Sequence, residues 1–481
     1  MKKIPLLLLI FACMCSCNDS FNGDVIPFVS RSESGIDAKG VQLYVSPDGS
    51  NSNSGSSEKT PLKTIQQAIS LAKPGTTINV MPGTYYATSG KALIEMKKEN
   101  SGESGKPITI KAADPSNPPV LRVTEKGIWN CANINASYVT IDGLEFYGNN
   151  ASIKLEDAEA NAQLNHDNPS AADNQLNGFY NTNAISIGGP RDQSSYPVHV
   201  TVRNCVIHDF PGAGVTCIQA DYTTFENNTV YNNCWYMMYA GSGLSILNPF
   251  NSDESTDYKN FVIGNTCYNN KTLVPWLING TLRYSDGNGI IIDTNKKPYE
   301  GSPLDGKQGE YTGRTLVANN ISFGNGGSGI HTFEANHVDI INNTAFQNTQ
   351  QMKTYAEIFS NDGRDNNIIN NIMYARDGGR CNSQAKNPTE VYSHNVYFNG
   401  TVVTKGEGDV IADPGFVNPV LDLQKADFHL KTGSKAIGVG MSTSYMPATD
   451  KDGVQRNNGI DAGALQYKEG ISTSIKSVTY K

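Results

Sequence analysis

Clustered positive charge is missing from this chain. Lys and Arg number 38 against 46 Asp and Glu, charged residues make up 17% of the 481 positions, and the formal net charge is −8. Nucleic acids select a concentrated basic surface, so no nucleic-acid partner is expected. Cysteines at metal-binding spacing are missing as well. Of nine cysteines, three fall in the first 17 residues, and Cys131, Cys205, Cys217, Cys234, Cys267 and Cys381 form no CxxC pair. That argues against a zinc site. Cys205, Cys217 and Cys267 sit at apolar positions of strand-like runs, where a free thiol acts as a small core hydrophobe. Beyond the opening residues no apolar run reaches membrane length, so the body is expected to be soluble.

The opening residues set the expected compartment. Lys2 and Lys3 form a basic start, Leu6 to Phe11 an apolar stretch, and Met14-Cys15-Ser16-Cys17 follows. The stretch is too short to span a bilayer and reads as an export signal over residues 1–17. Ser16-Cys17 resembles a bacterial lipobox, in which the cysteine is lipidated. Asn18-Asp19-Ser20 resembles the surface-export signals of Bacteroides-type lipoproteins. The resemblance implies a lipid anchor to the membrane at Cys17 and an outer-membrane lipoprotein exposed at the cell surface; the alternative is a plain signal peptide cut nearby. Residues 18–40 are polar and read as a flexible tether.

What the chain does have is repetition. Glycine (46) is plentiful and tyrosine (23) outnumbers phenylalanine (16), a mix suited to short strands joined by turns. Glu226–Asn233, Gly264–Asn270, Asn319–Asn325, Asn342–Asn348 and Asn370–Tyr374 each show Asn followed by alternating residues. Spacings between matching asparagines are 23 (Asn320 to Asn343), 28 (Asn343 to Asn371), 37 (Asn228 to Asn265) and 55 (Asn265 to Asn320). The shorter values fit one coil of three strands and three turns; the longer ones signal inserted loops or extra coils. A second repeat, Gly-x-Gly followed by an apolar strand, runs beside the first at Gly212, Gly241, Gly287 and Gly327. Leucine-rich repeats would show a leucine skeleton and propeller blades need a longer period. The pattern predicts an all-β fold, a parallel β-helix over residues 41–400, with a short capping helix around Ile65–Ala72. Residues 401–481 are expected to close the stack. The protein is expected to be a monomer.

Side chains on a strand alternate between faces. Val215, Leu244, Ile290 and Ile330 are therefore expected to point inward. Thr216, Ser245, Ile291 and His331 should form one outward row, and Ile218, Leu247, Asp293 and Phe333 the next.

Tyr44-Val-Ser-Pro-Asp-Gly49, Thr64-Ile-Gln-Gln-Ala68 and Pro82-Gly-Thr-Tyr85, followed by Asn-rich coils, resemble secreted pectate-lyase-like β-helix proteins, with polysaccharide lyase family 9 the nearest known group. The resemblance spans residues 40 to 400 and implies the right-handed form of the fold. It also implies β-elimination on a uronate-containing, pectin-like polysaccharide, with calcium held by aspartates and a lysine base. Here Asn288, Ser328 and His331 stand where the family's calcium aspartates would be. A hard cation prefers several carboxylate or carbonyl oxygens, so Ca2+ is only weakly implied and no metal ligand is assigned. No lysine matches the base.

Asp293 and His331 are the polar exceptions in otherwise neutral rows and are the leading catalytic candidates. Asp286, Glu357 and Lys296 join them. Asn288, Arg283, Arg314, Trp276, Trp235, Phe333 and Glu334 are candidate substrate contacts. In a lyase, His331 or Lys296 would be the base and Arg283 or Arg314 would neutralise the uronate. In an inverting hydrolase, Asp293 and Glu357 would flank the bond from coils two apart. A non-catalytic glycan-binding surface protein is the third reading. It predicts binding with no product.

Overall fold

The computed structural model describes residues 40–88, 90–189, 196–278, 281–456 and 459–470. The export signal, Cys17 and the tether up to residue 39 lie outside the described residues. From Gln42 onward the chain winds into a parallel β-helix of three sheets, two with eleven strands and one with eight. Its hand is the right-handed one that parallel crossovers take.

One coil shows how the sequence makes the fold. Ile290–Asp293 lies in the eight-stranded sheet, Arg314–Ala318 in the second sheet, and Ile321–Phe323 in the third. The corner between the last two is only Asn319-Asn320. Asn319 takes φ 56°, a left-handed turn that asparagine tolerates. Asn320 points inward and is fully buried. The Asn-Asn doublet therefore divides its labour: the first residue turns the chain, the second joins a ladder.

Two such ladders run along the coil. In one, each Nδ2 donates to the next Oδ1 from Asn228 through Asn265, Asn320, Asn343 and Asn371 to Asn395, at 2.9–3.1 Å. The other runs from Asn233 through Asn270 and Asn325 to Asn348. Every link points the same way, so each ladder needs an acceptor at its end. The first ends on Asp409, which accepts the Asn395 backbone N–H at 2.8 Å. The second ends on Glu357, which accepts the Asn348 backbone N–H at 2.9 Å and its Nδ2 at 2.7 Å.

The second ladder also explains the glycine repeat. A Cβ on Gly243 would stand 2.7 Å from Asn270 Nδ2, and one on Gly329 would stand 2.7 Å from Asn348 Nδ2. Only a bare backbone fits against the amide column.

Inward positions form one continuous apolar core with Val215, Leu244, Ile290 and Ile330 in it. The helix Ile65–Leu71 packs Ile65, Ala68 and Ile69 against its end, capped by Thr64 accepting from the Gln67 backbone N–H. Cys131, Cys205, Cys217, Cys234, Cys267 and Cys381 are all buried and unbridged.

Three features go beyond the sequence reading. An insert folds into the helices Leu155–Asp167 and Asn174–Asn181. The first has a weakly amphipathic sequence, and its contacts come from a separate small apolar cluster with Tyr236, Met238 and Val274. The coil continues past residue 400, because Val410–Ile411 still pairs with the strand beginning at Val396. The C-terminal segment lies along the side of the coil. Phe416, Phe428 and Leu430 cover Phe323, Phe346 and Ile372, and Arg456 reaches Asn319 while Asn342 donates to the Asp461 carbonyl.

Candidate functional site

The eight-stranded sheet forms the wall on which the candidate residues meet. Strands Val215–Ile218, Leu244–Leu247, Ile290–Asp293, Ile330–Phe333 and Ile358–Asn361 pair in register. One outward row is Thr216, Ser245, Ile291, His331 and Phe359; the next is Ile218, Leu247, Asp293, Phe333 and Asn361. Asp293 and His331 therefore share one wall on neighbouring strands. Strand spacing and rise place their Cα atoms about 8 Å apart. Asp286 lies before the strand of Asp293, and Thr294 and Lys296 lie after it.

Asp293 is partly buried, and burial pushes its carboxyl up to about 7, with the charges of Asp286 and Glu334 adding to the rise. Thr294 Oγ1 donates to it at 2.6 Å and opposes the shift. Thr294 itself holds φ 49°, an unfavourable conformation for a β-branched residue. The backbone there is strained at the point where the hydroxyl meets the carboxylate.

Asp286 also titrates above the ordinary aspartate range because it is desolvated; the Ser285 hydroxyl (2.7 Å) and Asn288 amide (3.1 Å) pull the other way. Asn288 is fully buried, with its Nδ2 also donating to Ser242 Oγ at 3.0 Å. Its Oδ1 accepts both the N–H and the Oγ–H of Ser328, each at 2.9 Å. The Ser328 proton is thus spent, so the 2.5 Å contact from Ser328 Oγ to His331 Nδ1 must take its proton from the imidazole. His331 is fixed as the Nδ1–H tautomer, with its Nε2 lone pair left for other partners. Burial drives the His331 pKa down to about 3, so the ring is neutral at any working pH. It is stacked on Phe359 at 4.7 Å and meets Tyr355 edge-on at 6.0 Å.

The remaining candidates scatter. Glu357 lies inside the coil, fully buried, as the acceptor that ends the second asparagine ladder. It cannot flank a bond with Asp293, because its side chain points to the interior. Arg314 is on the second sheet, clasped by Asp339 at 2.7 Å and Asp365 at 2.6 Å, away from the groove. Lys296 is at the groove but pairs with Asp362 at 3.2 Å. Trp235 packs against the insert, donating to the Asn269 carbonyl at 3.2 Å. Trp276 and Arg283 pair across a two-stranded hairpin, the guanidinium 5.3 Å over the indole. Arg283 and Phe333 are exposed and Glu334 is partly buried.

Tyr355, Thr294 and Asp362 were not singled out by the sequence. Tyr355 sits in a loop between the repeats, and the Asp286 charge raises its phenol after burial does. Its only sequence signal is a lone aromatic next to a groove strand. Among the described residues no group of three or more His, Cys, Asp or Glu stands close enough to hold a metal ion. At the calcium positions of the resembled family, Asn288, Ser328 and His331 bond to one another. That donor set does not fit a hard cation.

Residues 43–367 match the family model "Pel9A-like, right handed beta helix region". Pectate lyase L of Dickeya chrysanthemi is 42% identical over 84 residues, 17% of this chain and 19% of that protein. The uncharacterized protein YwoF of Bacillus subtilis is 36% identical over 88 residues, 18% of this chain and 17% of that protein. The chain thus spans less than a fifth of the length of the curated relatives it matches. Among solved structures, pectate lyase Pel9A aligns with 89% of this chain and 96% of its own at 16% identity and a TM-score of 0.48. A rhamnogalacturonan lyase aligns with 82% and 97% at 15% identity and a TM-score of 0.43.

Proposed function

The chain belongs to the Pel9A-like right-handed β-helix family, and from that premise we propose that it is a polysaccharide-cleaving enzyme centred on Asp293. One observation carries the reading: a carboxyl on the groove wall is held near neutrality, with two further carboxylates acting on it. Groups poised near the working pH transfer protons best.

Hydrolysis fits this set. Protonated Asp293 gives its proton to the glycosidic oxygen as the C–O bond breaks. Asp286 or Glu334 takes a proton from the water whose oxygen bonds to the sugar carbon. His331, with a pKa near 3, is too weak a base to draw a proton from carbon. It serves as a fixed hydrogen-bonding group. No step is routed through calcium, because the Asn288 and Ser328 oxygens are spent on hydrogen bonds with Ser328 and His331.

A second reading, β-elimination on a uronate, is favoured by the pectate lyase relative. It would rely on Arg283 to neutralise the sugar carboxylate, since Lys296 and Arg314 are held elsewhere. The enzyme is placed at the cell surface by a lipid on Cys17. Cys17→Ala should then release it from the membrane fraction.

A panel of pectic, glycosaminoglycan, alginate and neutral polysaccharides tests the proposal when read for new reducing ends and ultraviolet absorbance together. Reducing ends without absorbance, lost on Asp293→Asn, are expected. Absorbance appearing with them would establish elimination. Product formed undiminished by Asp293→Asn would remove Asp293 from the reaction. Binding without product would leave a glycan-binding protein.

A further inference from the structure

A cavity of about 270 Å³ opens on the same wall, upstream of Asp293. Ser186, Thr216 and Ser245 form its floor and continue the row that holds His331. Trp129 and Tyr239 stand over it, their rings 6.4 Å apart and tilted by 38°. Asn183 sits at its back. Among the described residues, no carboxylate, amine, guanidinium or imidazole lines the space.

The polar atoms are arranged to leave donors over. Asn183 Oδ1 accepts the Ala213 N–H at 2.7 Å, and its Nδ2 donates to Asn130 Oδ1 at 2.9 Å. Asn130 donates to Asn133 at 2.7 Å, and Asn133 to the Glu95 carboxylate at 2.8 Å. Each amide nitrogen carries two protons, so Asn130 and Asn183 each keep one for a ligand. The Ser186 and Thr216 hydroxyls make no hydrogen bond within the described protein.

We propose that this cavity is a subsite for an uncharged pyranose of the polysaccharide chain being cleaved. The proposal rests on the reading of Asp293 as the cleavage centre and adds the chemical class of the sugar bound upstream of it. A ring face stacked on Trp129 with hydroxyls turned to amides and serines uses every group present. A uronate carboxylate there would meet no cation among the described residues and would face a chain of amides ending on Glu95, an uncompensated desolvation. The strand of Ser245 pairs directly with that of Asp293. The chain of sugars therefore runs along the coil axis, with the neutral unit starting one coil from Asp293, where strand spacing and rise put Ser245 about 8 Å away.

The test uses the full chain carrying Asp293→Asn, so that ligands survive. Affinity electrophoresis is run in gels holding galactan, xylan, mannan, arabinan or polygalacturonate. At least one neutral polymer should retard the protein, with less than a twofold change between low and high salt. Trp129→Ala should weaken that retention by about tenfold. Ser186→Lys and Ser186→Asp should each weaken it alike. Retention by polygalacturonate alone, retention by no polymer, or strengthening by Ser186→Lys would overturn the subsite. Circular dichroism and thermal melting identify any variant that fails to fold, and Thr216→Lys then takes its place with the same expected sign. If the wild-type enzyme cleaves nothing while the binding pattern holds, the cleavage reading fails and the subsite stands.

Discussion

At the scale of single residues, the groove is organised by how protons are shared. Asn288 fixes Ser328, and Ser328 fixes the tautomer of His331. Ser328→Ala should loosen that tautomer and slow turnover by roughly tenfold, comparable to one lost hydrogen bond. It should not shift the pH profile between pH 5 and 9, because His331 is neutral throughout that range. A shift within that window would mean that His331 titrates there. Asp293 and His331 were legible from the sequence because register follows from a repeat: equal positions in successive coils must share a wall. Thr294 and Tyr355 were not, since nothing in a sequence shows a left-handed threonine or the path of a loop between repeats.

At the scale of elements, the asparagine ladders decide which acidic residue is structural. In the sequence Glu357 reads as catalytic because it precedes a groove strand. One residue of phase turns it inward, where its carboxylate replaces the next asparagine as acceptor. Burial raises its pKa to about 8. The folded state therefore holds a proton that the unfolded chain releases above its ordinary range. Ionising Glu357 costs stability that is absent at pH 4 and fully felt above pH 8. Glu357→Gln keeps an acceptor oxygen for Asn348 without the charge. It should match the wild type at pH 4, be more stable at pH 9 by denaturant titration, and keep activity. Glu357→Ala, which strands the Asn348 donors, should lose about 3 kcal/mol. Loss of activity in Glu357→Gln at unchanged stability would return Glu357 to the catalytic set. The doublets and glycines were readable as a period, but their partition into turn and ladder needed coordinates.

At the scale of the molecule, a solenoid has sides as well as ends. The sequence suggests a C-terminal segment that closes the stack; the segment also braces the side, because Phe323, Phe346 and Ile372 leave an apolar strip on the outside of the third sheet. Phe428 packs at 5.1–5.3 Å against Phe323, Phe346 and Phe416. Phe428→Ala should cost about 3–5 kcal/mol. It should make the segment after Ile411 the first target of limited proteolysis. Uniform digestion along the chain would show that the brace is not a separable unit. The helical insert escaped sequence reading for the opposite reason: its longer helix, Leu155–Asp167, is weakly amphipathic and is stabilised by the apolar cluster it packs on.

The claim on which the rest turns is that a protonated Asp293 drives cleavage. The pH dependence of kcat/KM on a cleaved polysaccharide tests it directly. The account predicts a limb that falls above about pH 7 by a factor of ten per unit. A rate that climbs through pH 7, or stays level from pH 5 to 9, would contradict it.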